Sequence, residues 1–342
     1  MKILLVSPLP PPVGGIASWT VDYMKYCEDN GIDISLINSA VKGSRAGNVN
    51  KVSLSEELKR CGDTLKEIKT ALKKEKFDVL HYCASCSKVG LIRDFVLLKS
   101  LNIPIIYHCH CDLATVINNS VSEFFFKAIC KKSSYVFALN TPSLKVALKY
   151  TDKAEYVPNF APSIYDGDKK IEEDLKKIVY VGRVTKEKGI RELIYTAEKM
   201  PEKEFIIVGP LDDKDIVFPE ADNIKVLGRK EHNEAIEIMK QSDVLVLPSY
   251  FEGFPLSVLE GMCCGLPIIA TDVGAIGDMI GDGGGIVIEK ENAEQLLDAI
   301  KTIEDKKLRS DMSIKNTEKV RNNYLIDTVV DKMLGIYKKS AI

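Results

Sequence analysis

The chain has 342 residues, more than one hydrophobic core usually supports, so two domains of roughly 150 residues each are expected. With 45% hydrophobic and 28% charged residues, it has the composition of a globular protein rather than a disordered or collagen-like one. The net charge of −2, without a basic patch interleaved with aromatic residues, argues against a nucleic-acid partner.

The beginning of the chain has the pattern of a first buried strand. "MKILLVSPLPPPVGG" has one lysine and an apolar run too short for a signal peptide, and no stretch reaches the roughly 20 apolar residues of a membrane span. Nine cysteines without such a leader are typical of a reducing compartment, in which they stay free thiols. We therefore expect a cytoplasmic protein.

Short apolar runs alternate with segments long enough for helices throughout the chain. The front half contains "KILLVS", "DISLIN", "FDVLHY", "IPIIYHCH", "YVFALN" and "EYVPNF". The back half repeats the pattern with "KIVYVGRV", "EFIIVGP", "NIKVLGR", "DVLVLPS", "LPIIATD" and "GGIVIEK". Runs of this kind are typical of strands buried on both faces of a parallel sheet, which predicts two doubly wound α/β domains in tandem.

A polar segment separates the two halves and sets the predicted domain bounds. We expect a first domain over residues 1–160, a linker over 161–177, a second domain over 178–322 and a final helix over 323–342. Ligands of such sheets bind beyond the carboxyl ends of the strands. Two domains of this type are therefore expected to face a central cleft.

Charge is divided unevenly between the halves. Residues 1–157 hold 21 Lys and Arg against 15 Asp and Glu, a balance of +6, and the rest hold 26 against 34, a balance of −8.

A lysine-rich segment of the front half places apolar residues at steps of three and four: Leu54, Leu58, Cys61, Leu65, Ile68 and Leu72. Two interpretations stay open, a helix packed on its own sheet and a helix that contacts an anionic membrane.

The stretch with the most chemical information is "PSYFEGFPLSVLEGMCCGLPIIATDVGA", residues 248–275. A predicted strand ends here, a turn follows at Gly253 and Pro255, and a helix begins, so free backbone N–H groups can bind phosphate or sugar oxygens. Glu252 precedes this helix and Glu260 lies about one turn inside it. Carboxylates so placed can accept hydrogen bonds from vicinal hydroxyls.

A second stretch, "YVGRVTKEKGI", places Arg183 and Lys188 on the loop that leaves the first strand of the back domain. Gly182 permits a ligand to approach closely. The two cations can hold a diphosphate, the guanidinium as a planar fork and the ammonium as a point charge. Each feature is common alone, but together on neighbouring strand ends they indicate a diphosphate site.

The histidines and cysteines of the front half suggest a metal site as well as a catalytic pocket. His81, Cys83 and Cys86 in "HYCASC" end one predicted strand and can converge with His110 and Cys111 of "YHCHCDL". Cys-x-x-Cys occurs at zinc sites, but structural sites typically use two such units and this segment supplies one. Both interpretations stay open, and we favour the pocket without a metal.

These motifs resemble those of the glycosyltransferases of family 4, which have the GT-B fold and transfer a sugar from a nucleotide diphosphate with retention of anomeric configuration. The resemblance covers nearly the whole chain, through "PPPVGGIA", "YHCHCDL", "VPNF", "GRVTKEKGI" and the spacing of Glu252 and Glu260. It also implies that the final helix crosses back to the first domain.

The resemblance implies roles for individual residues. Arg183 and Lys188 would neutralise the departing diphosphate. Glu252 and His110 would contact the transferred sugar, and Glu260 would bind the ribose. Further donor contacts are expected at Gly14, Gly15, Gly182, Gly253, Phe254, Pro255 and Leu256. The acceptor side is expected at His81, Cys83 and Arg93.

The expected protein is a retaining glycosyltransferase that moves a hexose or N-acetylhexosamine, with a UDP-sugar favoured, to a saccharide or lipid-linked saccharide. Such an enzyme would serve cell-surface polysaccharide or glycolipid synthesis at the inner face of the membrane, touching anionic lipid peripherally. No cofactor and no divalent metal are expected, because the two cations neutralise the leaving group. The alternatives are a nucleotide-sugar epimerase or hydrolase on the same fold, and a donor-binding subunit without activity.

Overall fold

A computed structural model describes most of the chain, without the side chains at 54–58 and 88. The described ranges are 1–11, 14–40, 54–165 and 169–341. Contacts divide the chain into two compact units. The first comprises Met1–Asn159 with Ile326–Ile342, and the second comprises Phe160–Leu325. The segment 161–177, expected as a linker, therefore counts with the second unit.

The first unit is built on a parallel sheet covered by helices. Its strands are β1 (Ile3–Ser7), β2 (Ile34–Asn38), β3 (Val79–Ala84), β4 (Ile105–Cys109), β5 (Tyr135–Ala138) and β6 (Ala154–Tyr156). Its helices before the second unit are α1 (Gly15–Asp29), α2 (Leu54–Lys74), α3 (Lys88–Lys99), α4 (Leu113–Val116), α5 (Ser120–Lys132) and α6 (Thr141–Ala147). The strand order is β2-β1-β3-β4-β5-β6, and every residue of β1, β3 and β4 is buried.

The second unit repeats the architecture with its own parallel sheet. Its strands are β7 (Lys177–Val181), β8 (Glu204–Val208), β9 (Ile224–Gly228), β10 (Val244–Leu247), β11 (Ile268–Thr271) and β12 (Gly285–Ile288). Its helices are α7 (Ile190–Lys199), α8 (His232–Lys240), α9 (Leu256–Cys263), α10 (Ile276–Ile280), α11 (Ala293–Thr302) and α12 (Lys306–Asn323). The order is β12-β11-β10-β7-β8-β9. Two six-stranded parallel sheets confirm the predicted pair of doubly wound domains.

The last helix, α13 (Ile326–Ser340), packs with the first unit. The Tyr26 hydroxyl of α1 donates a 2.8 Å hydrogen bond to Asp327, and the hydroxyls of Tyr23 and Tyr337 lie 3.3 Å apart. Tyr337 is fully buried. The helix therefore forms part of the layer that covers one face of the first sheet.

The apolar stripe of α2 faces the interior of the first unit. Cys61 and Ile68 are buried, and Leu65 and Leu72 pack against the core beside them. The side chains of Leu54 and Leu58 lie outside the described residues. Packing on its own sheet thus accounts for the described part of the pattern. In the described ranges, no helix combines the length and the apolar character needed to cross a bilayer.

Candidate functional site

Three loops meet at the carboxyl ends of β7, β10 and β11. The loop after β7 makes a single 3-10 turn at Lys186–Lys188. The Tyr250 N–H donates to the Glu187 carbonyl at 2.8 Å, which joins the loops after β7 and β10. The Ala275 N–H donates to the Gly253 carbonyl at 3.0 Å, which joins the loops after β10 and β11. The predicted diphosphate segments are therefore neighbours in space.

Two glycines make this close approach possible. Gly189 has φ +71°, and a Cβ there would lie 2.0 Å from the Pro248 carbonyl oxygen. Gly274 has φ +58°, and a Cβ there would lie 2.2 Å from the Glu252 carbonyl oxygen. Any other residue would suffer both a left-handed backbone and a backbone clash. These positions therefore fix the chain on either side of Glu252.

The structure brings Lys188 and Glu252 together as an ion pair. The Lys188 Nζ lies 2.5 Å from Glu252 Oε1, and the two side chains are 20% and 11% exposed. Arg183 is exposed, and its carbonyl accepts a 2.7 Å hydrogen bond from the Tyr180 hydroxyl. Burial raises the pKa of Tyr180, Glu252 raises it further and Arg183 opposes this. Two cations and one carboxylate thus surround the end of β7, an arrangement that can hold an anion.

The first turn of α9 adds backbone donors beside that cluster. Its N-cap is Pro255, which supplies no side-chain hydrogen bond to the helix. The N–H groups of the first turn therefore lack intrahelical acceptors, as at any helix start, and the positive end of the helix dipole adds to their attraction for anions. Phe254 is buried with its ring 5.6 Å from that of Tyr324, which leaves its backbone as the part that can contact a ligand.

Glu260 has a neighbour that sequence reasoning missed. His232, the first residue of α8, places Nδ1 3.7 Å from Glu260 Oε1. The imidazole is 59% exposed and the carboxylate 21%. No motif surrounds "KEHNEA", so only the packing of α8 beside α9 reveals the pair.

In the first unit, three histidines gather on β3 and at the end of β4, of which His81 and His108 are buried. His81 Nε2 lies 3.1 Å from His108 Nδ1, and Cys83 Sγ lies 3.9 Å from His81 Nε2. The His110 ring stands 4.0 Å, centroid to centroid, from that of His108. Burial lowers the pKa of His81 and of His110 to about 3, so both imidazoles are neutral at pH 7. Three predicted residues, His81, Cys83 and His110, are thus neighbours.

Arg93 and Cys86 lie on the opposite face of this sheet. The buried Asp94 carboxylate accepts hydrogen bonds from the Tyr107 hydroxyl at 2.8 Å and from Arg93 Nε at 2.8 Å. Cys86 Sγ stands 3.9 Å from the same Tyr107 hydroxyl. Because side chains alternate between faces along a strand, Tyr107 and His108 point in opposite directions. The structure therefore separates Arg93 from His81 and Cys83, and the five-residue zinc set considered from sequence does not converge.

Open space surrounds the glycine pair at the start of α1. Gly14 is the extended N-cap of this helix, and Gly15 is its first residue. A Cβ at either position would meet nothing within 4 Å, so neither glycine is required by the described packing. The preceding residues 12–13 of "PPPVGGIA" lie outside the described residues.

Comparisons with known proteins bear on the fold and on the class of protein. The family model of glycosyl transferases group 1 matches residues 164–320. A glycosyltransferase of Methanocaldococcus jannaschii is 28% identical over 317 residues, which cover 88% of this chain and 87% of that protein. The UDP-Gal:alpha-D-GlcNAc-diphosphoundecaprenol alpha-1,3-galactosyltransferase of Escherichia coli is 27% identical over 325 residues, covering 84% and 80%.

Among solved structures, HepE of Anabaena in complex with UDP-glucose superposes with a TM-score of 0.74 at 15% identity, covering 99% of this chain and 100% of that one. At this identity the likeness establishes the fold, two parallel α/β domains of the GT-B type. The family model and both relatives are described as glycosyltransferases. Together they support a GT-B glycosyltransferase, an enzyme that transfers sugars.

Proposed function

We propose that the protein is a retaining, metal-independent glycosyltransferase that passes a hexose or N-acetylhexosamine from a UDP-sugar to a lipid-linked saccharide. The observation that carries the proposal is the meeting of Arg183, the Lys188–Glu252 pair and the first turn of α9 at neighbouring strand ends. Cations and N–H groups match a diphosphate, and carboxylates match sugar hydroxyls.

The ion pair suggests how the donor is taken up. In the absence of donor, Lys188 is neutralised by Glu252. An incoming diphosphate competes for the ammonium, which frees the carboxylate for the hydroxyls of the transferred sugar. Glu260 takes the ribose, and His110 of the first unit takes the sugar, as the family resemblance implies.

The transfer step itself needs no side-chain nucleophile. The bond from the anomeric carbon to the phosphate oxygen breaks while a bond from the acceptor oxygen forms on the same face. The acceptor proton passes to the departing phosphate oxygen. Arg183 and Lys188 stabilise the charge that develops on the diphosphate, the kind of interaction that commonly contributes most to catalysis.

Two relatives support the choice of donor and acceptor. The Escherichia coli enzyme transfers galactose from UDP-Gal to a diphosphoundecaprenol-linked sugar, and HepE binds UDP-glucose. We therefore place the protein in the synthesis of a cell-surface polysaccharide or glycolipid, in the cytoplasm at the inner face of the membrane.

A ligand panel with one variant pair tests the proposal. UDP, GDP, ADP and their sugar conjugates are screened by thermal shift with and without EDTA, since a ligand of the native state raises its stability. We expect a UDP-sugar to bind equally well in EDTA. Arg183→Ala should lower turnover by about 10²-fold or more, as loss of an oxyanion-stabilising donor does. Arg321→Ala, at an exposed site on α12, is the matched control and should keep normal turnover. Near-normal turnover in Arg183→Ala would refute the assignment.

Product analysis separates the alternatives. Rapid consumption of donor without acceptor would indicate an epimerase or hydrolase. Donor binding without any product, with and without acceptor, would indicate a non-catalytic subunit.

We also propose peripheral contact with an anionic membrane, through α5 rather than α2. Val121 and Phe124, three residues apart on α5, are 60% and 64% exposed. The exposed Lys127 and Lys131 lie on the same side of the helix, at helical spacing. Apolar side chains beside lysines match an acyl boundary beneath anionic headgroups.

A further inference from the structure

Three potential metal ligands of the first unit lie side by side in its interior. His81 Nε2 or Nδ1, Cys83 Sγ and a ring nitrogen of His108 all fall within 4.8 Å of one another, and all three residues are buried. The cause is strand geometry. His81 and Cys83 are two residues apart on β3 and share a face, and the parallel register places Cys83 directly opposite His108 on β4.

Two of the three ligand separations are close to those around a tetrahedral ion. With Zn–N near 2.05 Å and Zn–S near 2.3 Å, tetrahedral angles place two nitrogens about 3.4 Å apart and a nitrogen about 3.6 Å from a sulfur. The observed separations are 3.1 Å between His81 Nε2 and His108 Nδ1, and 3.9 Å between His81 Nε2 and Cys83 Sγ. These two separations each differ from the ideal values by about 0.3 Å, and the separation of Cys83 Sγ from the His108 ring nitrogen is below 4.8 Å.

The surroundings supply one outer contact of the kind that metal-bound histidines usually have. The Tyr337 hydroxyl lies 2.6 Å from His81 Nδ1, and this ring nitrogen is the one that faces away from the cluster. His108 Nε2 is buried without a hydrogen-bond partner among the described residues. Outer contacts of this kind fix the ring orientation and the tautomer of a ligand.

We propose that His81, Cys83 and His108 bind one zinc-like divalent cation inside the first unit. A neutral imidazole pair with a thiol is a soft, nitrogen and sulfur donor set, which selects zinc over magnesium or calcium. The ion is separate from the diphosphate chemistry of the second unit and takes no part in sugar transfer. It holds β3 to β4 inside the first unit.

Binding of the metal ion releases one proton to solvent. Without metal, Cys83 is a neutral thiol, and one N–H lies between the two imidazoles. With metal, the His81 proton sits on Nδ1 facing Tyr337, the His108 proton sits on Nε2, and the Cys83 proton leaves to solvent. The thiolate, unfavourable in a dry interior by itself, is compensated by the bound cation.

Cobalt substitution tests the site. The full chain is unfolded with a chelator, refolded without metal and titrated with Co²⁺. We expect tetrahedral d–d bands and a thiolate-to-cobalt charge-transfer band that saturate at about one equivalent and are displaced by Zn²⁺. Cys83→Ser should abolish the charge-transfer band. Cys130→Ser, a buried thiol packed on the other face of the sheet, is the matched control and should retain it.

A second variant probes the outer contact. Tyr337→Phe should retain the bands and weaken metal affinity by about 10–100-fold. A charge-transfer band that persists in Cys83→Ser overturns the proposal. If that variant does not fold, the unsubstituted chain decides: absence of the cobalt bands together with no zinc-dependent rise in unfolding temperature also overturns it.

Discussion

At the scale of the residue, the pairing of Lys188 with Glu252 is the most consequential finding. The two were expected to act separately, one on phosphate and one on sugar. They instead neutralise each other at 2.5 Å, with little of either side chain exposed. Under the proposed function, a ligand must break this ion pair to use either group, so the affinity of the protein for a diphosphate would depend partly on the pair.

Removing the carboxylate should separate binding from catalysis. Glu252→Gln keeps the shape of the side chain but releases Lys188, so we expect bare UDP to bind several-fold more tightly, since a paired charge of this kind is worth up to about 1 kcal/mol. Turnover should fall, because the sugar loses an acceptor of hydrogen bonds. Calorimetry with UDP and initial-rate kinetics measure the two effects. Equal losses in UDP affinity and turnover would show that Glu252 supports the site structurally instead.

Sequence reasoning proposed Arg183, Lys188, Glu252 and Glu260 as site residues because each stands at a strand end or a helix start that the apolar pattern already locates. It could not find His232, whose position depends on how α8 packs. It grouped Cys86 with His81, although Cys86 follows β3 by two residues and adopts φ +51°, which turns its side chain to the other face. Local backbone reversals of this kind leave no periodic signal.

At the scale of the element, the fold was predictable and the use of each helix face was not. The alternation of apolar runs predicted both sheets, because strands covered on two sides must be apolar throughout. The apolar stripe of α2 was compatible with packing on its own sheet and with contact to an anionic membrane. The structure assigns the described part of the stripe to the core. Helix α5 exposes two large apolar residues instead, Val121 and Phe124, and Phe124 is interleaved with core-facing neighbours and gives no distinct pattern.

The stability that the contact between α13 and α1 contributes should depend on pH in the alkaline range. Burial and the hydrogen bond to Asp327 raise the pKa of Tyr26 from 10.0 to about 12. Because an unfolded tyrosine ionises near pH 10, the stabilisation is complete below pH 10 and is lost as pH rises from about 10 to 12. Tyr26→Phe should therefore be less stable than the parent at pH 8, with a difference that shrinks above pH 10.

Denaturant unfolding at a series of pH values measures this difference. Asp327→Asn and the double variant complete a cycle, in which the two losses should be non-additive because they remove the same contact. A difference between parent and Tyr26→Phe that stays constant from pH 8 to 12 would contradict the expectation.

At the scale of the whole molecule, the two exposed apolar residues of α5 lie in the positively charged half of the chain. Residues 1–157 carry a balance of +6, from 21 Lys and Arg against 15 Asp and Glu. Val121 and Phe124 are exposed in that part. A lysine near an anionic membrane surface contributes about 1 kcal/mol, and a buried phenylalanine roughly 1.5–3 kcal/mol. The two contributions together suffice for reversible attachment, which a lipid-linked acceptor would require.

Vesicle sedimentation tests this attachment. The full chain should co-sediment with anionic phosphatidylglycerol vesicles at low salt, release as salt screens the lysines, and stay in solution with neutral vesicles. Phe124→Ser should weaken binding by about tenfold or more through lost burial. Val217→Ser, at a side chain 79% exposed in the second unit, is the matched control and should bind as the parent does. If the parent chain stays in solution with anionic vesicles at low salt, the enzyme must meet its acceptor without help from lipid charge.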